Sequence, residues 1–358
     1  MQRTPDDYGQ VIRQQKPPSK DDILKLRASL FNATHHIGQY CPAVHLLGAN
    51  LHNANKIPDS ILFDTHLEND NSILFDNEVT VTAVPLPIFD HPHNCDYDAD
   101  ACINDQVENF VKSIKFSENE IHQIEESTRG QRENPEWHQQ RRGAVTASRM
   151  GSILRTFEKQ KPPCKSVITA IMGRECSEDN IPYTTVPSLK WGISNEKKAR
   201  DQYLRQQKKQ HTNLSINEKG LVVAEDYPYI RGSPDGIITC SCHSERVLEI
   251  KCPYSCRNMM VKDAIKCGKI RYLDGNFMLK PFSTEGYYEQ VQALMYILKL
   301  NKCEFVIWTN VDMMVIEVGY NAEFCQKKLL PGCVSFFKQY IVPNILSWNN
   351  KNKMPKMC

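Results

Sequence analysis

Hydrophobic and polar positions follow different patterns on either side of residue 108. On the N-terminal side, the β-branched stretch TVTAVPLPIF predicts one strand that ends at prolines, and DDILKLRASLF predicts a helix. The stretch DHPHNCDYDADACINDQ is acidic, rich in Asn and turn-prone, which is typical of a linker. We therefore predict an N-terminal extension of unknown role over residues 1–107, ending in this linker, and a second domain over residues 108–358.

Beyond residue 108 the pattern predicts helices that alternate with strands. Helical spacing of apolar residues occurs in VENFVKSIKFSENEIHQIEESTRGQ, VPSLKWGISNEKKARDQYLRQQ, TEGYYEQVQALMYILKLN and a C-terminal segment that prolines break. Strands are predicted in LVVAEDYPYIRGSPDGIIT, RVLEIKCP, CEFVIWTN and DMMVIEVGY, with CSCHSE as a hairpin turn. The order of helix, three or four strands, helix, two strands and helix predicts a compact α/β unit.

Composition narrows the classes of function only slightly. Of the 358 residues, 41% are hydrophobic and 24% are charged, as in ordinary globular proteins. The net charge of +2 does not by itself indicate nucleic-acid binding, so any basic surface must be local. No apolar run reaches the roughly eighteen residues of a membrane span, and the N-terminus lacks the apolar core of a signal peptide. We expect a nuclear or cytoplasmic protein in a reducing compartment, neither secreted nor attached to a membrane.

Fourteen cysteines raise the question of a zinc site. The densest group of candidate ligands is Cys240, Cys242, His243, Cys252, Cys256 and Cys267. Zinc sites usually pair their ligands as CxxC or HxxxH, whereas this group has CxC and CxxxC spacing. We therefore interpret these cysteines as free thiols.

The stretch RGSPDGIITCSCHSERVLEIKCP carries the strongest candidate chemistry. Asp235 lies in a Pro-Asp-Gly turn between two β runs, and Glu249 and Lys251 stand two positions apart on a strand, so both point to one face. If a hairpin brings Asp235 alongside, its carboxylate and that of Glu249 converge with the ammonium group of Lys251. Carboxylate oxygens are the ligands that Mg²⁺ prefers. The alternative is a surface Glu–Lys pair, because such triplets are common. The apolar strand before the triplet and a third acid, Glu196, in a preceding helix favour a site.

Five separated motifs between about residues 130 and 320 resemble one known family: WHQQRRGAVTAS, WGISNEKKA, SPDG, LEIKCPYS and YYEQVQALMYI. Together they are similar to the phage lambda exonuclease and YqaJ-type viral recombinase family, within the PD-(D/E)xK nuclease superfamily. The resemblance implies an α/β, restriction-endonuclease-like fold, a mixed sheet flanked by helices, here with an N-terminal extension. It also implies a metal-dependent DNA exonuclease that hydrolyses phosphodiester bonds 5′→3′ on duplex DNA, in recombination, repair, or mobile-element or viral DNA processing.

The resemblance also implies roles for individual residues. Asp235, Glu249, the backbone carbonyl of Ile250, and Glu196 would hold Mg²⁺, for which Mn²⁺ could substitute, and Lys251 would be the catalytic lysine. Gln292 would orient the lysine or the water, with Gln290 and Tyr288 beside it.

Arg141 and Ser148 match a pocket for a DNA 5′ phosphate, and Arg155 is the candidate for a third pocket residue. These positions fall in or near a basic stripe whose members are Arg141, Arg142, Arg149, Arg155, Lys159, Lys161 and Lys165.

Two other functions stay open at the level of sequence. An endonuclease of the same fold would carry the same carboxylates, because loops and oligomer shape select DNA ends. A DNA-binding protein without catalysis is the alternative outside the enzymes, although neither Asp235 nor Lys251 is substituted. As partners the resemblance implies linear duplex DNA ends, a single-strand annealing protein and further copies of the chain in a homo-trimer.

Overall fold

The computed structural model describes residues 84–90, 102–158, 163, 165–173 and 186–353, all within one compact unit that begins at Val84. The helix predicted near the N-terminus lies outside these residues. The predicted strand overlaps the described residues only at 84–89. Residues 84–87 form no strand, and a 3-10 turn follows at Ile88–Asp90. A helix crosses residue 108, and Ile88 and Phe89 are buried in the main core. The proposed division of the chain near residue 108 stays a prediction.

Eleven helices and eight strands make up the described part of the unit. The helices are α1 (Ile103–Ser113), α2 (Glu118–Ser127), α3 (Pro135–Gln140), α4 (Ala147–Glu158), α5 (Lys165–Met172), α6 (Pro187–Gln207), α7 (Val261–Lys266), α8 (Tyr287–Leu298), α9 (Ala322–Phe324), α10 (Leu330–Phe336) and α11 (Val342–Lys353). The strands are β1 (Val145–Thr146), β2 (Ser215–Asn217), β3 (Val222–Val223), β4 (Ile230–Gly232), β5 (Gly236–Cys240), β6 (His243–Lys251), β7 (Lys302–Trp308) and β8 (Met313–Gly319). None of these helices is long and apolar enough to cross a bilayer.

The strands form two sheets, and Asp235 lies where the chain passes from β4 of the smaller sheet to β5 of the larger. The smaller sheet has the order β1-β4-β3 and the larger has the order β2-β5-β6-β7-β8. In the larger sheet β5 and β6 are antiparallel, β6 and β7 are parallel, and β7 and β8 are antiparallel. The α8 helix provides the crossover between the parallel pair. The predicted α/β fold with a mixed sheet flanked by helices is confirmed.

Helices cover both faces of the larger sheet. Leu248 and Ile250 pack with Tyr203 of α6 in one buried cluster, whereas Val247 belongs to the main cluster with residues of α8. This alternation along β6 is the period of two that a strand requires. It directs Glu249 towards α8, as the sequence predicted for the face opposite to Leu248.

The predicted first helix is divided into α1 and α2 by Ser117. Its hydroxyl accepts a hydrogen bond from the Glu120 amide at 3.3 Å, and the Glu120 carboxylate accepts one from the Ser117 amide at 2.7 Å. This reciprocal pair is a capping box, which starts a new helix by satisfying amide groups that have no partner within it.

The C-terminal helical segment continues through its prolines rather than breaking at them. Pro331 and Pro343 stand at the second positions of α10 and α11, and a π-helical turn precedes each helix, at Cys325–Leu329 and Phe337–Ile341. Proline lacks an amide hydrogen and its ring clashes with a carbonyl of the preceding α-helical turn. The wider π turn accommodates the ring, so one continuous segment packs on the core.

Candidate active site

The first part of the site is the contact between the turn at Asp235 and the end of β6. The Asp235 amide donates to the carbonyl of Leu248 at 3.1 Å. In return the Ile250 amide donates to Oδ2 of Asp235 at 2.6 Å. The antiparallel register of β5 and β6 opposes Gly236 to Leu248, which places the turn beside Glu249. The hairpin therefore assembles the two carboxylates that the sequence predicted to converge.

Glu249 is almost fully buried, with 1% of its surface exposed. Its Oε1 accepts hydrogen bonds from Nζ of Lys251 at 2.5 Å and from Nε2 of Gln290 at 2.6 Å. Its Oε2 is buried and has no hydrogen-bond partner among the described residues. Burial, followed by the neighbouring Asp235 carboxylate, raises the pKa of Glu249 to about 8. A buried carboxylate oxygen without a partner is costly, and a cation is the ligand that would satisfy it.

Lys251 supplies the positive charge at the centre of the site. Burial lowers the pKa of its ammonium, but the Glu249 and Asp235 carboxylates outweigh this effect and raise the pKa above its ordinary value. The ammonium lies 4.9 Å from the centre of the Tyr287 ring, in cation–π contact. In this state Lys251 is a charged hydrogen-bond donor rather than a proton acceptor.

Glu196 and Arg132 line the open side of the site. A cavity of about 320 Å³ is bordered by Arg132, Glu196, Ile250, Lys251 and Tyr287, among other residues. Burial and, after it, the charge of the Asp235 carboxylate raise the pKa of the Glu196 carboxyl above its ordinary value. Glu196 on α6 thus borders the same cavity as Ile250 and Lys251, and its predicted role as a metal ligand stays a prediction.

The sequence did not single out Arg132, which faces the same cavity. Its charge acts against the rise in the pKa of Glu196. The side chain of the preceding Gln131 donates to the carbonyls of Lys219 and Pro234 at 2.9 and 2.8 Å, so this turn is attached beside Asp235. In the sequence Arg132 lies a few residues before the recognised WHQQRRGAVTAS motif, and only its charge marks it.

Gln290, rather than Gln292, contacts Glu249. Gln292 donates through Nε2 to the Gly319 carbonyl at 2.9 Å, and its Oε1 accepts from the Asn321 amide at 2.7 Å. Residues two apart on a helix point in roughly opposite directions, because each residue turns the helix by about 100°. The structure therefore contradicts the predicted place of Gln292 beside the lysine, because its side chain is bonded to Gly319 and Asn321, whereas Gln290 is bonded to Glu249.

Tyr288 is likewise directed away from the cavity. Its hydroxyl accepts from Nδ2 of Asn321 at 3.1 Å, and its ring lies 5.0 Å from that of Phe324. The neighbouring Tyr287 borders the cavity instead. Tyr288 thus supports the packing of the C-terminal segment, which corrects its predicted place among the substrate-binding residues.

The three residues predicted for a phosphate pocket lie on α4 and next to α3. The Arg141 guanidinium stacks on Trp137 at 4.0 Å, and Nε1 of Trp137 donates to Oγ of Ser233 at 2.8 Å, close to Asp235 in the chain. Ser148 is exposed at the start of α4. Arg155 is half-buried and donates to the Ser283 carbonyl at 2.6 Å. The pocket itself stays a prediction.

The rest of the basic stripe is only partly described. Lys159 and Lys161 lie outside the described residues, and Lys165 begins α5. The Arg142 guanidinium lies over the Phe89 ring at 4.3 Å and 3.7 Å from Oδ2 of Asp90. Arg142 therefore helps to hold the segment 84–90 against the domain.

The central part of the chain matches one family of known proteins. Residues 136–301 match the family model of the YqaJ-like viral recombinase domain, which confirms the predicted resemblance over that segment. No curated protein matches the chain.

Solved structures of exonucleases are similar to the chain at low sequence identity. An alkaline exonuclease from Laribacter hongkongensis is 19% identical, with 61% of this chain and 97% of that chain covered and a TM-score of 0.44. A phage-related exonuclease from Haemophilus somnus 129PT is 15% identical, with 57% and 96% covered and a TM-score of 0.37. The shutoff and exonuclease protein of Kaposi's sarcoma-associated herpesvirus is 11% identical, with 67% and 77% covered and a TM-score of 0.39. Likeness at this level does not assign an activity.

Proposed function

We propose that this chain, whose residues 136–301 match the model of the YqaJ-like viral recombinase domain, is a Mg²⁺-dependent DNA exonuclease. One observation carries the proposal. The buried Oε2 of Glu249 lacks a hydrogen-bond partner among the described residues, in a site that also holds Asp235, Glu196 and Lys251. Three acids around one lysine form a donor set for a hard divalent cation.

Each residue has a distinct part in the proposed reaction. Asp235, Glu249, Glu196 and the carbonyl of Ile250 would hold Mg²⁺, or Mn²⁺ in its place. The cation supplies Lewis acidity, which offsets phosphate charge and lowers the pKa of the attacking water. Lys251 places a positive charge next to the phosphate and orients the water. Gln290 holds Glu249 in position through its hydrogen bond to Oε1.

The proposed substrate is linear duplex DNA, degraded from the 5′ end. A site with several carboxylates repels phosphate unless cations lie nearby. Arg132 borders the cavity, and Arg141 is attached through Trp137 to Ser233. Ser148 and Arg155 complete the proposed contacts to a 5′ phosphate.

The resemblance extends the proposal to recombination, repair, or mobile-element or viral DNA processing. It adds a single-strand annealing protein as partner and a homo-trimer as assembly. Sedimentation of the full-length chain, alone and with linear DNA, tests the assembly.

Digestion assays with the full-length protein test the proposal. Three substrates are compared: 5′-phosphorylated linear duplex, 5′-hydroxyl linear duplex and a closed circle. We expect the 5′-phosphorylated duplex to be degraded in Mg²⁺ or Mn²⁺ and not in excess chelator. Cleavage of the closed circle would instead indicate an endonuclease.

A matched pair of variants tests the site. Glu249→Gln should lower the rate on the order of a hundredfold or more, because the amide cannot supply the anionic oxygen that the proposed cation binds. Glu245→Gln is the control, because Glu245 is exposed on the same strand and should leave the rate unchanged. Full activity in Glu249→Gln would overturn the assignment, whereas metal-independent DNA binding without cleavage would favour a binding protein.

A further inference from the structure

A second group of metal-ligating side chains lies at the other end of the β5–β6 hairpin. Cys240 ends β5, Cys242 lies in the turn, His243 begins β6, and His211 comes from the loop that follows α6. One ligand atom from each of the four residues lies within 4.8 Å of the others. This Cys₂His₂ group was only partly visible in the sequence, because His211 is far from the other three.

Four of the distances between the ligand atoms fall in the range of a tetrahedral zinc site, and all lie within 4.8 Å. Nδ1 of His211 lies 3.4 Å from Sγ of Cys242 and 3.7 Å from Sγ of Cys240. The two sulfurs are 3.5 Å apart, and Nδ1 of His243 lies 3.8 Å from Sγ of Cys240. Tetrahedral zinc, with bonds of about 2.3 Å to sulfur and about 2.0 Å to nitrogen, separates its ligands by roughly 3.3–3.8 Å. The four side chains therefore surround a space of the right size for one Zn²⁺.

Contacts outside the group hold the loop and the turn together. The Ser241 amide donates to the Thr212 carbonyl at 2.9 Å, and Nδ2 of Asn213 donates to Oγ of Ser241 at 3.0 Å. These bonds bring the residue after His211 against the turn between Cys240 and Cys242. The ligands are thus positioned by the backbone, and their convergence does not depend on the side chains alone.

We propose that His211, Cys240, Cys242 and His243 bind one structural Zn²⁺. Four protein ligands leave no open position, which is typical of structural rather than catalytic zinc. Thiolate and imidazole ligands select zinc, whereas the carboxylates of the active site select Mg²⁺. Glu249 lies six positions beyond His243 on β6, a rise of about 20 Å, so the two sites are separate.

The proposed ion would stabilise the arrangement of the elements that carry the active-site residues. It would join the loop that follows α6 to the β5–β6 hairpin. The α6 helix carries Glu196, and the opposite end of the hairpin carries Asp235 and Glu249. The proposal does not depend on the nuclease activity. All the cysteines of the predicted free-thiol group are unpaired with one another in the structure, and the proposal departs from that prediction only for Cys240 and Cys242; Cys252, Cys256 and Cys267 lie outside the four-residue group.

Metal analysis of the full-length protein tests the proposal. Protein purified without chelator and dialysed against trace zinc should hold about one equivalent of zinc per chain, as a closed four-ligand site requires. Zinc should be lost in Cys242→Ser and in His211→Ala. The matched controls are Cys267→Ser and His122→Ala, which alter exposed residues outside the group and should retain zinc. Cobalt substitution should give a thiolate charge-transfer absorption, which carboxylate ligands do not produce.

Two further experiments decide the question even if a ligand variant is inactive or does not fold. Asp235→Asn should lose nuclease activity and retain zinc, which separates failure of this proposal from failure of the proposed nuclease. If a ligand variant does not fold, the wild type still decides, because chelation should lower its melting temperature and added zinc should restore it. A folded wild type without zinc, unchanged zinc in the Cys240→Ser, Cys242→Ser double variant, or a Cys240–Cys242 disulfide in the reduced preparation would overturn the proposal.

Discussion

Oδ2 of Asp235 accepts a hydrogen bond of 2.6 Å from the backbone amide of Ile250, fifteen residues further along the chain. This bond occupies one carboxylate oxygen and fixes the side chain at the end of β6. The Ile250 amide therefore orients the Asp235 carboxylate, just as the Gln290 side chain orients the Glu249 carboxylate. In both cases a hydrogen-bond donor that does not bind the metal positions a proposed metal ligand.

The two glutamines of α8 should separate activity from stability. Gln290→Ala should lower kcat by about 10–100-fold, as loss of a group that orients a metal ligand commonly does. Gln292→Ala should lower the free energy of unfolding by about 1–3 kcal/mol and leave kcat unchanged, since it leaves the Asn321 amide and the Gly319 carbonyl without that partner. Steady-state kinetics with chemical denaturation check both variants. The reverse pattern would return the catalytic role to Gln292.

Lys251→Ala should remove most of the nuclease activity without preventing metal binding. Its ammonium donates to Glu249 and remains charged, so its loss removes positive charge next to the phosphate. We expect a decrease in kcat on the order of a hundredfold or more. Lys302→Ala is the control, because this lysine forms an exposed pair with Glu317. Equal activity in the two variants would contradict the role of Lys251.

The stability of the domain should decrease in acid partly because of Glu125. Burial raises the pKa of this carboxyl, but Arg129, the Gly220 amide and Lys219 outweigh burial and lower the pKa below its ordinary value of 4.5. A group whose pKa is lower in the folded state stabilises the fold above its unfolded pKa, and this contribution is lost as the pH falls through the folded value. Denaturation at a series of pH values should show this loss below about pH 4.5.

The variant Glu125→Gln should flatten that acid dependence and destabilise the domain at neutral pH. It disturbs the buried bonds to Gly220 and Arg129, so we expect a loss of about 1–3 kcal/mol. The adjacent Glu126→Gln should change stability by less than about 0.5 kcal/mol, since Glu126 is half-exposed. An unchanged pH profile in Glu125→Gln would argue against the assignment.

Two helical glycines should respond in opposite directions to alanine. A Cβ at Gly151 on α4 would lie 2.4 Å from the Gly286 Cα, where α8 begins, so Gly151→Ala should cost about 1–3 kcal/mol. A Cβ at Gly192 on α6 meets nothing within 4 Å, so Gly192→Ala should stabilise the helix by up to about 1 kcal/mol. Melting temperatures of the two variants check the comparison. A stable Gly151→Ala protein would show that α4 and α8 can separate without loss.

The sequence alone determined those features that depend on local periodicity. The helical pattern predicted α6 and α8, and the period of two along β6 placed Glu249 and Lys251 on the face opposite to Leu248. The Pro-Asp-Gly turn, followed by a hairpin, was sufficient to bring Asp235 beside them. These conclusions hold because the geometry of a strand or hairpin is set by residues close in the chain.

Only the tertiary structure decided which side of each helix packs against the sheet and which residues distant in the chain are in contact. Gln290 and Gln292 have the same side chain on one helix, and the packing of α8 against the sheet determines which of them contacts Glu249. Arg132 reaches the cavity because Gln131 is attached to Pro234, and His211 joins Cys242 across 31 positions of the chain. Neither contact leaves a periodic signal, since it arises from the packing of separate elements.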